Sequence, residues 1–305
     1  MGATTWLLAV LVANPLILGA TTSSPGPHDS APFVQPDAMT RVIADTDREE
    51  RLTIPVMLEG KGPYRFMIDT GSQATVVSAA LAGSLGLTAG PQVTVVGVAG
   101  RGPAATARLD SLTYAEREVN GLTVPVLEGR HIGADGILGT DCLQGQRVLF
   151  DFTRNVIAIG DAAREQGSNG FEIIVRARRK AGRLIITDAL IDGVRTQVIV
   201  DSGASGTIGN RALQQAMTRR KAQTGGQVFS VTGEALPIDM GVARTFRIDK
   251  INLANLPIAF VDAPAFDELD LADRPAILLG IAEMRAFKRV AIDFSSRKVL
   301  FDLPG

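Results

Sequence analysis

The residues best equipped for chemistry are two tripeptides of one kind, Asp69-Thr70-Gly71 and Asp201-Ser202-Gly203, one in each half of the chain. Alone, such a tripeptide describes a β-turn, with Asp and Ser or Thr bonding local backbone and Gly supplying positive φ. Brought together, the two would offer a different chemistry. Carboxylates about 3 Å apart cannot both ionise, so they share one proton, and their split apparent pKa values belong to the pair. The ionised member can take a proton from a water lying between them while the other polarises a scissile carbonyl. That chemistry needs neither a metal nor a covalent nucleophile. The composition suits it: with Cys142, His28 and His131 as the whole Cys and His complement, a disulfide framework is excluded and a Cys/His zinc site is hard to assemble. No G-x-S-x-G supplies the serine of a hydrolase triad.

The elements that must position these acids also come twice. Tyr64-Arg65-Phe66-Met67-Ile68 precedes Asp69 as Thr196-Gln197-Val198-Ile199-Val200 precedes Asp201, and small residues plus a Thr follow each Gly. Further on, Gly136-Ile137-Leu138-Gly139 is echoed by Ile277-Leu278-Leu279-Gly280, and Arg147-Val148-Leu149-Phe150-Asp151-Phe152 by Arg289-Val290-Ala291-Ile292-Asp293-Phe294. The order is kept and the offsets change only by loop-sized amounts, which marks a duplication. Between these motifs run short apolar or alternating segments punctuated by Gly, Pro and Asn. They predict an all-β architecture, with helical spacing confined to residues 77–87 and 211–220.

On these motifs the chain resembles a retropepsin-type aspartic protease over residues 50–305, in a fused, single-chain version of the retroviral dimer. The resemblance implies two β-barrel lobes with short helices, and one active site at the lobe interface. It makes Asp69 and Asp201 the catalytic pair, Thr70 and Ser202 the interlocking hydroxyls beneath them, and Gly71 and Gly203 the substrate-binding positions where an extended backbone comes close. Ser72 follows the first Gly and Ala204 the second; a Ser72 hydroxyl donating to Asp69 would make that acid the more readily ionised. Glycine-rich tips at residues 95–102 and 228–234 are candidate flaps. No cofactor is implied. A catalytically silent peptide-binding module or inhibitor on the same bilobal fold, and a structural β protein whose motifs are turns, are the competing readings.

The remaining expectations concern organisation and place. Residues 1–20, apolar from residue 6 and ending in Leu18-Gly19-Ala20, read as a signal peptide although no Lys or Arg precedes the apolar run. Residues 21–44 read as a flexible leader, 45–160 as the N-terminal lobe, 161–170 as a linker and 171–305 as the C-terminal lobe. The mature chain is then periplasmic or secreted, without a membrane span, and works as a monomer on extended polypeptide. A formal net charge of −1 provides no field for nucleic acid, so the basic run at residues 176–180 is a solvated face. His131 reads as a surface imidazole, Cys142 as a small buried hydrophobe, and Asp151 and Asp293 as local structural acids.

Overall fold

Runs rich in Val, Ile and Thr separated by tight turns form strands throughout the computed structural model, which describes residues 5–7, 11–13, 39–47, 51–161, 170–217 and 223–303. In the N-terminal lobe six strands close into a ring: Leu52–Leu58, Lys61–Ile68, Gly136–Leu138, Val76–Ser78, Arg117–Leu127 and Arg101–Tyr114, the last pairing back onto the first. The C-terminal lobe repeats the ring strand for strand with Arg183–Ile191, Val194–Val200, Ala276–Leu279, Ile208–Gly209, Ile251–Phe260 and Ala235–Ile248. Both rings begin with a two-residue hairpin, Glu59-Gly60 and Asp192-Gly193, in which both residues take the positive φ that such turns require. The fold is thus mostly β in two lobes, as the duplication implies. The helices are short: Ala79–Leu85 is capped by the Ser78 side chain and ends on left-handed Gly86, and Arg211–Ala216 is capped by Asn210.

A third sheet joins the lobes. Its six strands run in the order Ile173–Arg176, Lys298–Asp302, Arg289–Asp293, Gln146–Asp151, Val156–Asp161 and Met39–Ile43. The central antiparallel pair, Gln146–Asp151 against Arg289–Asp293, brings the two copies of one motif together. Across it Arg147 donates to Asp293 at 2.7 Å from a buried position. Asp293 therefore bridges the lobes as well as accepting from Ser296 N–H, whereas Asp151 holds a local turn through Thr153 and Arg154. The largest apolar cluster also crosses the junction, with Ile54, Phe66 and Phe150 from one lobe and Val198, Phe246 and Phe294 from the other.

Two of the expected boundaries need correction. The leader does not extend to residue 44: Met39–Ile43 is a strand paired with Val156–Asp161. Asp161 of the expected linker ends a strand, while residues 162–169 lie outside the described residues. Of the expected signal segment, Thr5–Leu7 pairs in parallel with residues 94–96 and Leu11–Ala13 pairs antiparallel with residues 228–230. Its other residues, and residues 21–38, lie outside the described residues. Among the described residues no helix is long and apolar enough to cross a membrane.

Candidate active site

Each Asp leaves the end of an interior strand and turns back at once. Lys61–Ile68 and Val194–Val200 are each flanked in parallel by the apolar-Gly strand of their own lobe. That neighbour anchors the turn: Asp69 N–H donates to Leu138 O at 3.1 Å, and Asp201 N–H to Leu279 O at 3.0 Å. Thr140 N–H to Ser72 O and Ile281 N–H to Ala204 O, both 2.8 Å, close the other end. Thr75 and Thr207 tie each turn to the segment behind it. Thr75 Oγ1 accepts from Gly139 N–H and donates to Asp141, while Thr207 Oγ1 accepts from Gly280 N–H and donates to Glu283. In the sequence this Thr stands at the same distance after each Asp and marks the repeat, without a signal for its role.

The two turns meet at the lobe boundary through Thr70 and Ser202. Thr70 N–H donates to Ser202 Oγ and Ser202 N–H to Thr70 Oγ1, both at 3.1 Å. Each hydroxyl then donates onward across the boundary, Thr70 to Val200 O and Ser202 to Ile68 O, both at 2.8 Å. Every N–H and hydroxyl of Thr70 and Ser202 in this buried knot has a partner.

Above it lie Asp69 and Asp201, both fully buried. Gly71 N–H donates to Asp69 Oδ1 at 2.8 Å and Gly203 N–H to Asp201 Oδ1 at 3.0 Å. Neither Oδ2 atom accepts from an N–H or hydroxyl of a described residue, and the two buried carboxyls lie within hydrogen-bonding reach of each other. Burial pushes the Asp69 carboxyl up to about 6, against the opposing pull of the Gly71 N–H and the Arg183 charge. Asp201 is pushed up further, by burial and by the negative charge of Asp69. One proton thus stays on the pair after the first has left.

Ser72 is not the source of that asymmetry. Its hydroxyl donates to Ala74 O at 2.7 Å within its own turn, so the expected bond to Asp69 is replaced by a turn-closing one. The glycines are constrained by the opposite lobe: a Cβ on Gly71 would lie 2.4 Å from Asp201 Cγ, and one on Gly203 would lie 2.3 Å from Asp69 Cγ. Each glycine is the space in which the other lobe's carboxyl sits.

A further group borders the pair. Arg183 is fully buried, and its Nε donates to Gly71 O at 2.5 Å from the opposite lobe. The two glycine-rich tips also meet each other: a Cβ on Gly97 would strike Ser230 Oγ and one on Gly100 would strike Glu234. Val98 and Val231 in these tips are buried. His131, expected as a surface imidazole, sits half-buried in the short helix Gly129–Ile132 and packs against Gly233 of the second tip. Cys142 is buried in the helix Thr140–Leu143, its thiol held protonated by burial and the neighbouring Asp141.

A family model described as Aspartyl protease matches residues 54–142 and 187–282, one stretch in each lobe. A search of curated proteins found no match.

Proposed function

The chain belongs to the aspartyl protease family, and on that premise we propose that it is an endopeptidase in which Asp69 and Asp201 activate one water. The observation that carries the reading is the meeting of two fully buried carboxyls, each over the other lobe's glycine and each with an Oδ2 that accepts from no N–H or hydroxyl of a described residue. In the working state Asp69 is the carboxylate and Asp201 the acid. Asp69 takes a proton from water as the oxygen adds to the peptide carbon, and Asp201 hydrogen-bonds the carbonyl oxygen that gains charge. Collapse of the tetrahedral intermediate breaks the C–N bond, and the proton held by Asp69 passes to the leaving amine. Family membership supports peptide hydrolysis in general; the roles of the individual residues are our assignment.

The substrate in this reading is an extended polypeptide. The tips at residues 97–100 and 230–234 must part to admit it and close to exclude water. Strand pairing of residues 5–7 and 11–13 with the outer strands of the two tips supports this: the same edges accept an added strand, parallel on one side and antiparallel on the other. Both acids come from one chain, so the working unit is a monomer. The apolar run ahead of Ala20 supports a periplasmic or secreted enzyme. The test is the purified chain against a mixed peptide library from about pH 3 to 8, with and without pepstatin. Internal cleavage that pepstatin blocks is the expected result; no cleavage at any pH would leave a silent peptide-binding module.

A further inference from the structure

Two arginines hold matching places in the duplicated fold and do different things. Arg51 and Arg183 each stand at the start of the first ring strand of their lobe, at the same distance before their Asp, and both are fully buried. Arg51 is spent inside its own lobe. Its Nε donates to Asp47 Oδ2 at 2.7 Å, its Nη2 donates to Ile132 O at 2.6 Å, and the Asp47 carboxylate lies against the guanidinium. Arg183 instead crosses the boundary to the Gly71 carbonyl, and the carboxylates acting on its charge are Asp69 and Asp201.

We infer that Arg183 is a positioning residue of the acid pair, anchoring from the opposite lobe the turn that carries Asp69 and supplying the positive charge that lets the buried pair hold one negative charge. Gly71 is the hinge of the argument. Its N–H holds Asp69 Oδ1 and its carbonyl is held by Arg183, so one residue links guanidinium and carboxylate. Charge balance points the same way. A buried guanidinium without a counter-charge is strongly unfavourable, and Arg183 with a singly ionised pair forms a neutral buried cluster. The cluster is neutral only while one of the two protons remains, which is the state that the proposed mechanism uses.

Among the described residues, other charges near the pair are few. Beyond Arg183 the carboxyls feel each other and, for Asp69, more weakly Arg51. Asp141 and Glu283, behind the turns, are engaged with Thr75 and Thr207. The charge of Arg183 acts on both carboxyls, while its hydrogen-bonded anchor falls on Asp69's turn alone. The inference rests on the reading of Asp69 and Asp201 as the pair, but its test does not depend on catalysis.

The test is a carbon-13 NMR titration of the Asp carboxyl carbons in the full chain, with Asp69→Asn and Asp201→Asn assigning the two signals. Arg183→Gln can keep a donor to Gly71 O while losing the charge; Arg183→Lys keeps the charge. The first titration of the pair should move upward by about one pH unit or more in Arg183→Gln and stay within about half a unit in Arg183→Lys. A folded Arg183→Gln with both titrations unmoved overturns the inference. So does an Arg183→Lys whose first titration moves upward from wild type by about one pH unit or more, a comparison that stands even where Arg183→Gln does not fold. A chain without peptidase activity but with these shifts would defeat the proposed function and leave Arg183's role in place.

Discussion

Thr70 and Ser202 exchange backbone-to-hydroxyl hydrogen bonds at 3.1 Å in both directions, and each hydroxyl passes its own proton to a carbonyl of the opposite lobe. Two bonds between these residues and two onward bonds across the lobe boundary fix the separation of the acids above them. The knot is small, buried and complete, so removing one member leaves the other's groups stranded.

Thr70→Val keeps shape and removes the hydroxyl, leaving Ser202 N–H and Val200 O without their partners. Stability should fall by about 1–3 kcal/mol, with melting temperature and peptidase activity falling together. Thermal unfolding and steady-state cleavage check this. Unchanged melting with full activity would remove the knot from the account.

Alanine at Gly71 or Gly203 places a methyl group 2.4 or 2.3 Å from the facing carboxyl carbon, closer than real contacts allow. The carboxyls must shift, and a displacement of about 1 Å at reacting groups costs on the order of 100-fold in rate. Either variant should lose at least that much activity and keep its circular dichroism spectrum. A fully active Gly203→Ala would mean that the two turns do not approach as described.

Linkage gives a stability signature. Asp69 holds its proton up to about pH 6 in the folded chain, against an ordinary carboxyl value of 3.8. Between these values the folded state binds more protons than the unfolded state, so this group's contribution falls as pH rises. It is fully present below about 4 and lost above about 6. The loss is on the order of 2–3 kcal/mol. Asp69→Asn should therefore gain stability relative to wild type as pH rises through that window. Urea unfolding across the pH series reads the difference, and a constant or opposite difference counts against the burial of this carboxyl.

Removal of residues 1–20 should raise kcat/KM several-fold, since strands 5–7 and 11–13 occupy the edges of both tips and compete with substrate for the same pairing. Equal kcat/KM for the full and shortened chains would show that those strands do not obstruct the site.

The two-lobe β fold and the pairing of Asp69 with Asp201 were legible because the motif and its flanks occur twice in one order. Side-chain direction was not legible. Ser72 was expected to serve Asp69, yet its hydroxyl donates to the Ala74 carbonyl in its own turn. Arg51 and Arg183 gave no separate signal, since an arginine ahead of a strand ordinarily reads as surface charge; comparing the two copies position by position would have exposed them. The leader boundary failed for another reason. Met39–Ile43 is a strand only through its partner Val156–Asp161, far along the chain, and local composition does not record so distant a pairing. His131 illustrates the same limit, since its contact with Gly233 comes from the other lobe.

The central claim is that one water is activated jointly by Asp69 and Asp201 of a single chain. Cleavage rates of Asp69→Asn, Asp201→Asn and the double variant, on the peptides that the wild type cleaves best, test it most directly. Because the pair acts as a unit, each single variant should be about as inactive as the double one. Near-full activity in Asp201→Asn would contradict the claim and require each lobe to find its second acid elsewhere.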